Sequence, residues 1–330
     1  MSLTLEEANE LLPNTPTKAV TNPKRLKYLA IGQPKWGKTT FFCAVPNSIL
    51  LAFEEGHAFH ETHKILIDAW DRPYSEKKEG WWIDEDGNRH AGFLEAVEAI
   101  VASDKFDFVI IDTVDMAAKM CLDYHYEKLG VSHASEAGDY GKGWDLALTQ
   151  PFRRAVGMLM KAGRGIGFIT HSQVITRKVG KTEISRHEST LPSQVQRFLH
   201  TQADIILHAK FGKHYKDRPE RDRVIILDGS DEILAGSRVR GIEMPRRFIV
   251  DPEKPWEQWA SFFTDPKAVR QAVKYYEARM AGKDVDDTEE APIISEPAEP
   301  AETETATTSG NNKVATLQDR KQTPKNRKKK

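Results

Sequence analysis

Gly32-Gln33-Pro34-Lys35-Trp36-Gly37-Lys38-Thr39 matches GxxxxGK[ST] in full and stands directly behind the apolar run Leu26-Lys27-Tyr28-Leu29-Ala30-Ile31. A buried strand that ends in a glycine-rich turn and opens a helix leaves several backbone N–H groups aimed at one point, a cradle for phosphate. The spacing predicts that Gly32 to Thr39, with Thr40 behind them, wrap a triphosphate. Lys38 would reach the β- and γ-phosphates while the Thr39 hydroxyl ligates Mg²⁺. The expected ligands are ATP and Mg²⁺.

Further along, Phe106-Asp107-Phe108-Val109-Ile110-Ile111-Asp112 is an apolar strand ending in a carboxylate. That pattern suits a strand whose aspartate holds Mg²⁺ through water, so Asp112 joins Thr39 as a metal-side residue. The same aspartate would otherwise cap the next helix. Other strand-like runs lie at 48–53, 64–67, 165–170, 203–209 and 223–227, with helical patterns between them. This alternation predicts an α/β fold, a mostly parallel sheet covered by helices on both faces.

The segments outside that core read differently. Thr4 and Glu7 have the spacing of a capping box, and a proline-bearing linker follows, so residues 1–23 form an arm. The ATPase-type core would span 24–264, a C-terminal helix 265–283, and a disordered tail 284–330 that is acidic and then basic. The basic end of the tail suits either solubility or contact with a partner.

Composition narrows the function classes. The 330 residues carry a formal charge of −1, so any nucleic-acid surface must be local rather than a property of the whole chain. Two cysteines, Cys43 and Cys121, supply neither a ligand set nor a disulfide framework. No basic apolar leader and no span-length apolar stretch is present, which predicts a cytoplasmic protein without membrane contact. His57, His60 and His63 recur every third residue, the spacing of one polar helix face rather than of a zinc motif.

The order of these motifs resembles the RecA-like ATP-binding proteins of bacteriophages, in particular the Sak-type single-strand annealing and recombination group of the RecA/RadA superfamily. The resemblance covers roughly residues 24–264. It implies a Mg²⁺-ATP-dependent ATPase that assembles as a homo-oligomer in the host cytoplasm, binds single-stranded DNA and works beside a single-strand DNA-binding protein. It also implies a water-orienting glutamate after the second strand, where Glu55 before Gly56 fits and Glu54 is the other choice. His171 matches a γ-phosphate sensor, and Arg238 matches a basic residue offered to a neighbour's nucleotide, although Ser237 replaces the lysine usual ahead of it.

Two stretches answer to DNA loops. Between Gln173 and Arg197, the five cations Arg177, Lys178, Lys181, Arg186 and Arg197 face two glutamates, a local excess suited to a phosphate backbone. Gly138-Asp139-Tyr140-Gly141-Lys142-Gly143-Trp144 offers aromatics that would stack on bases and a lysine for phosphate. Competing readings are a helicase-loading or packaging-accessory switch that acts on a protein, and a P-loop small-molecule kinase whose lid would be the basic run Lys210 to Arg223.

Overall fold

The inner strands are apolar without alternation because both of their faces are covered. In the computed structural model, which describes residues 20–72, 82–136, 142–179, 182–212 and 221–282 with scattered positions before residue 20, one sheet runs through the molecule. Its strands are β1 (Lys27–Gly32), β2 (Ser48–Ala52), β3 (His63–Ala69), β4 (Trp82–Ile83), β5 (Arg89–Gly92), β6 (Phe108–Asp112), β7 (Gly165–Val179), β8 (Thr182–Ser189), β9 (Ile205–Phe211), β10 (Arg223–Ile226), β11 (Gly236–Ser237) and β12 (Arg247–Ile249). The order β12-β10-β9-β1-β7-β6-β2-β3-β5-β4 is parallel from β9 to β5 and antiparallel at both ends. The fold is thus α/β with a mixed sheet flanked by helices.

Strand alternation divides the core. Leu29, Ile31, Val109, Ile111 and Phe168 point to one face, where they meet helices α2 (Phe93–Ala102), α3 (Val114–Leu129), α4 (Gln150–Lys161) and α5 (Ser193–Gln202), numbered after α1 (Lys38–Cys43). Tyr28, Ala30, Leu50, Ile110 and Leu207 point to the other, against α1, α6 (Pro255–Ser261) and α7 (Pro266–Met280). Each fully buried aliphatic side chain contributes about 1.5–3 kcal/mol. The Tyr28 phenol, buried in the second core, donates to Pro23 O and accepts from Trp259 Nε1, so it is not left unpaired.

Several expectations change. The segment after His171 is a β-hairpin and not a loop: β7 continues to Val179 and pairs antiparallel with β8 from Ser172–Ser189 to Val179–Thr182. Val174, Ile175, Thr176 and Ile184 supply the β-branched residues that favour it. The histidine run is no helix face. His57 lies in a 3₁₀ turn over Glu55–Phe59, whereas His63 begins β3. The helix expected over 265–283 is α7, and its Ala268, Val269 and Ala272 are buried in the second core. At the other end, Thr4 and Glu7 do form the reciprocal bonds of a capping box. The tail lies outside the described residues, as do Tyr140 and Lys181.

Candidate functional site

The glycine-rich turn leaves β1 at Gly32 and enters α1 at Lys38, the strand-turn-helix order that the octapeptide requires. Gly37 caps α1 with φ of 99°, a left-handed conformation that glycine adopts without a Cβ penalty. Gly32 is held for another reason: a Cβ there would stand 2.6 Å from Ala209 Cβ and from Ala209 O on β9. Trp36 is buried and donates from Nε1 to Lys210 O at 3.0 Å, fastening the outer limb of the turn to the same strand. Gln33, Pro34, Lys35 and Thr40 are exposed around it.

Lys38 is buried and folds back on the turn, donating to Gly32 O and Gln33 O at 2.9 Å each. Burial pushes its ammonium pKa down to about 8, against the opposing pull of Asp112, Asp115 and Glu54. Thr39 donates from Oγ1 to Asp112 Oδ2 at 2.6 Å, although 73 residues separate them. Burial raises the Asp112 carboxyl, partly offset by that hydrogen bond. A hydroxyl and a desolvated carboxylate side by side are hard oxygen donors of the kind Mg²⁺ takes, so the residues present fit the ion.

β7 lies between β1 and β6, and this placement brings the polar end of β7 to the turn. Gly32 pairs with His171, and Asp112 with Ile169. His171 Nε2 stands 3.9 Å from Glu54 Oε1, and the buried Thr113 hydroxyl donates to the same oxygen at 2.7 Å. Glu54 is therefore the strand-end glutamate whose carboxylate faces Asp112 and His171. Glu55 begins the 3₁₀ turn that follows.

Asp115, in the first turn of α3, joins this cluster to the hairpin. It accepts from the buried Thr170 hydroxyl at 3.1 Å, from His171 N at 3.4 Å, and from the Thr190 hydroxyl. Thr190 N in turn donates to His171 O at 3.0 Å. The two ends of the hairpin are thus pinned at one carboxylate beside the phosphate loop. Thr113, Asp115 and Thr190 had no motif to flag them; the only hint was the DTVD run that continues past Asp112.

The remaining expected residues are scattered. Lys178 is exposed on β7 and faces Glu183 at 3.4 Å, while Arg186 Nε lies 3.9 Å from Glu188 Oε1 on β8. Arg177 also lies on β7, and Arg197 is exposed on α5, where it shares a cleft of about 360 Å³ with Arg186 and His200. Lys142 is exposed, but Trp144 packs against the first core and meets His133 edge-on, so its ring is engaged inside the fold. Arg238 is exposed beside β11, its backbone N bonded to Asp204 O at the start of β9. That is the end of β9 opposite the phosphate loop, so Arg238 has no part in its own chain's cluster.

A family model described as an AAA domain matches residues 24–239. Among solved structures, a KaiC-like protein from the hyperthermophilic archaeon Pyrococcus horikoshii aligns at 9% identity over 70% of this chain and 87% of its own, with a TM-score of 0.34. No curated protein matches the chain. No helix among the described residues is long and apolar enough to cross a membrane.

Proposed function

Because this chain belongs to the AAA-domain family and is an ATP-binding and ATP-hydrolysing P-loop enzyme of the AAA/RecA-like superfamily, we propose that it is a Mg²⁺-dependent ATPase whose hydrolysis is coupled to single-stranded DNA held by the β7–β8 hairpin, in the service of strand annealing or pairing. The observation that carries the reading is the tether at Asp115, which links His171, next to Glu54, to both ends of a hairpin bearing Arg177, Lys178 and Arg186.

The residues divide the work as follows. Lys38 gives up its bonds to Gly32 O and Gln33 O and turns its ammonium to the phosphates, joining the backbone N–H groups of residues 33 to 39. Thr39 and Asp112 would hold Mg²⁺, which when bound neutralises charge on the phosphate oxygens. Glu54 takes the proton of the attacking water, while the Thr113 hydroxyl fixes its carboxylate. The γ-phosphoryl group passes to the water oxygen and ADP leaves. His171, at the strand tip, senses whether the γ-phosphate is present, and Asp115 transmits that difference to the hairpin base. Arg238, far from its own site, suits contact with a neighbouring subunit's nucleotide in a homo-oligomer.

The direct test is ATP hydrolysis by the full chain with Mg²⁺, with and without single-stranded DNA. The reading expects a several-fold stimulation by DNA. An unchanged rate would sink the DNA half of it and favour the protein-directed switch, and no hydrolysis at all would sink the rest.

A further inference from the structure

Arg223 lies against the phosphate loop although it comes from the second strand beyond it. A Cβ built on Gly37 would stand 3.2 Å from Arg223 Nη1, 3.5 Å from Cζ and 3.7 Å from Nε, so the guanidinium is laid along the loop at the residue just ahead of Lys38. The sheet fixes this placement. Gly32 pairs with Ala209 at the loop end of β9, and two residues further on Phe211 pairs with Arg223 at the start of β10. Val250 N also donates to Arg223 O at 2.8 Å, so the backbone is held on both sides.

The side chain, by contrast, is unengaged. Arg223 is half-buried, yet its guanidinium makes no hydrogen bond and no ion pair among the described residues. The adjacent carboxylate, Asp222, pairs with another residue: its Oδ1 accepts from Arg279 Nη2 of α7 at 2.9 Å. A half-buried guanidinium whose nitrogens still reach solvent, with five donors and no anion among the described residues, is open to a phosphate ligand. The ligand that reaches Gly37 in a phosphate loop is the polyphosphate chain of a nucleotide.

From these contacts we infer that Arg223 is a nucleotide-binding residue acting in its own subunit: its guanidinium, beside Gly37, binds the polyphosphate chain held by the loop. This rests on the nucleotide reading of the loop and adds a second, permanently charged cation to it. Lys38 has its pKa lowered by burial, whereas an arginine keeps its charge at any working pH and offers a planar fork to phosphate oxygens. Arg223 thereby differs from Arg238, which lies at the far end of β9, away from its own chain's phosphate loop.

Binding of ATP, ADP, AMP and inorganic tripolyphosphate to the full chain, followed by calorimetry, tests this with Arg223→Ala, Arg223→Lys and Arg223→Gln beside wild type and Lys38→Ala. Loss of a charge-assisted hydrogen bond predicts about a tenfold or greater fall in affinity for ATP and for tripolyphosphate in Arg223→Ala, little change for AMP, and partial rescue in Arg223→Lys. Thermal unfolding without ligand should match wild type, because the side chain makes no bond to lose, while the ATP-induced rise in Tm shrinks. If Arg223→Ala and Arg223→Gln both bind ATP and tripolyphosphate as wild type does while Lys38→Ala does not, the inference about Arg223 fails and the nucleotide site stands. If wild type binds neither, both fail together.

Discussion

His171 Nε2 stands 3.9 Å from Glu54 Oε1, the oxygen that also receives the Thr113 hydroxyl. A carboxylate with one oxygen held this way keeps a fixed orientation and leaves the other free to meet a water. Under the proposed function the imidazole would stand beside the phosphate that this water attacks.

Glu54→Gln should keep ATP affinity and lower hydrolysis by about 10²–10⁴-fold, since the amide holds its place but takes no proton. Glu55→Gln, one residue into the 3₁₀ turn, should hydrolyse ATP at close to the wild-type rate. Single-turnover hydrolysis together with equilibrium binding separates the two, and the reverse ranking would restore Glu55 as the base.

Nucleotide affinity should weaken as pH rises above about 8. Burial has lowered the free-state pKa of Lys38 to about 8, and bound phosphates stabilise its charged form and raise it again. Below that pH the lysine is protonated with or without ligand, and affinity is at its plateau. Above it, binding must take up a proton, and affinity falls by up to about tenfold per pH unit until the pKa of the complex is reached. Calorimetry in buffers of different ionisation enthalpy would show the uptake; a flat profile to pH 9.5 would place the ammonium outside the phosphate site.

The phosphate loop, β1 and Asp112 were legible because each rests on a local pattern: glycine spacing, a continuous apolar run, and a carboxylate at its end. The placement of Glu54 in the cluster was not. It depends on where the chain leaves the sheet, and β2 pairing continues to Phe53, whose N–H meets Asp112 O at 2.8 Å, so the next side chain is the one delivered to the cluster. Asp115 and Thr190 are 75 residues apart, and only β7's position between β1 and β6 joins them. The hairpin hid behind its charges: Arg177, Lys178 and Lys181 looked like a solvated loop, while the β-branched residues interleaved with them carried the strand signal. Arg223 is likewise placed by strand order, which no spacing within the chain encodes.

Gly32→Ala should destabilise the fold as well as the site. The added methyl meets both the Cβ and the carbonyl oxygen of Ala209 at 2.6 Å, and the backbone cannot turn aside as a flexible side chain would. Overpacking of this kind costs about 1–3 kcal/mol, read as a lower urea midpoint at constant m-value. A midpoint equal to wild type would mean that β1 and β9 separate more easily than their register implies.

The last expectation concerns the hairpin and its tether, which should fail in different ways. Replacing Arg177, Lys178 and Lys181 with alanine removes three positive charges from the stretch 177–181 without touching the nucleotide cluster, so on the proposed function single-strand affinity should fall for all sequences alike. The slope of log affinity against log salt should flatten by about 2, near 0.7 per lost phosphate contact. Folding should be spared, because the one pair lost among the described residues, Lys178 with Glu183, is solvent-exposed and contributes little. Asp115→Asn keeps the shape but weakens the acceptor for Thr170, Thr190 and His171 N. ATP and DNA should then each bind nearly as before while DNA no longer stimulates hydrolysis, a coupling loss of about 1–3 kcal/mol. Normal stimulation in Asp115→Asn would show that the signal reaches the hairpin by another route. An unchanged salt slope in the triple variant would remove the hairpin as the DNA surface and leave ATP controlling a protein partner.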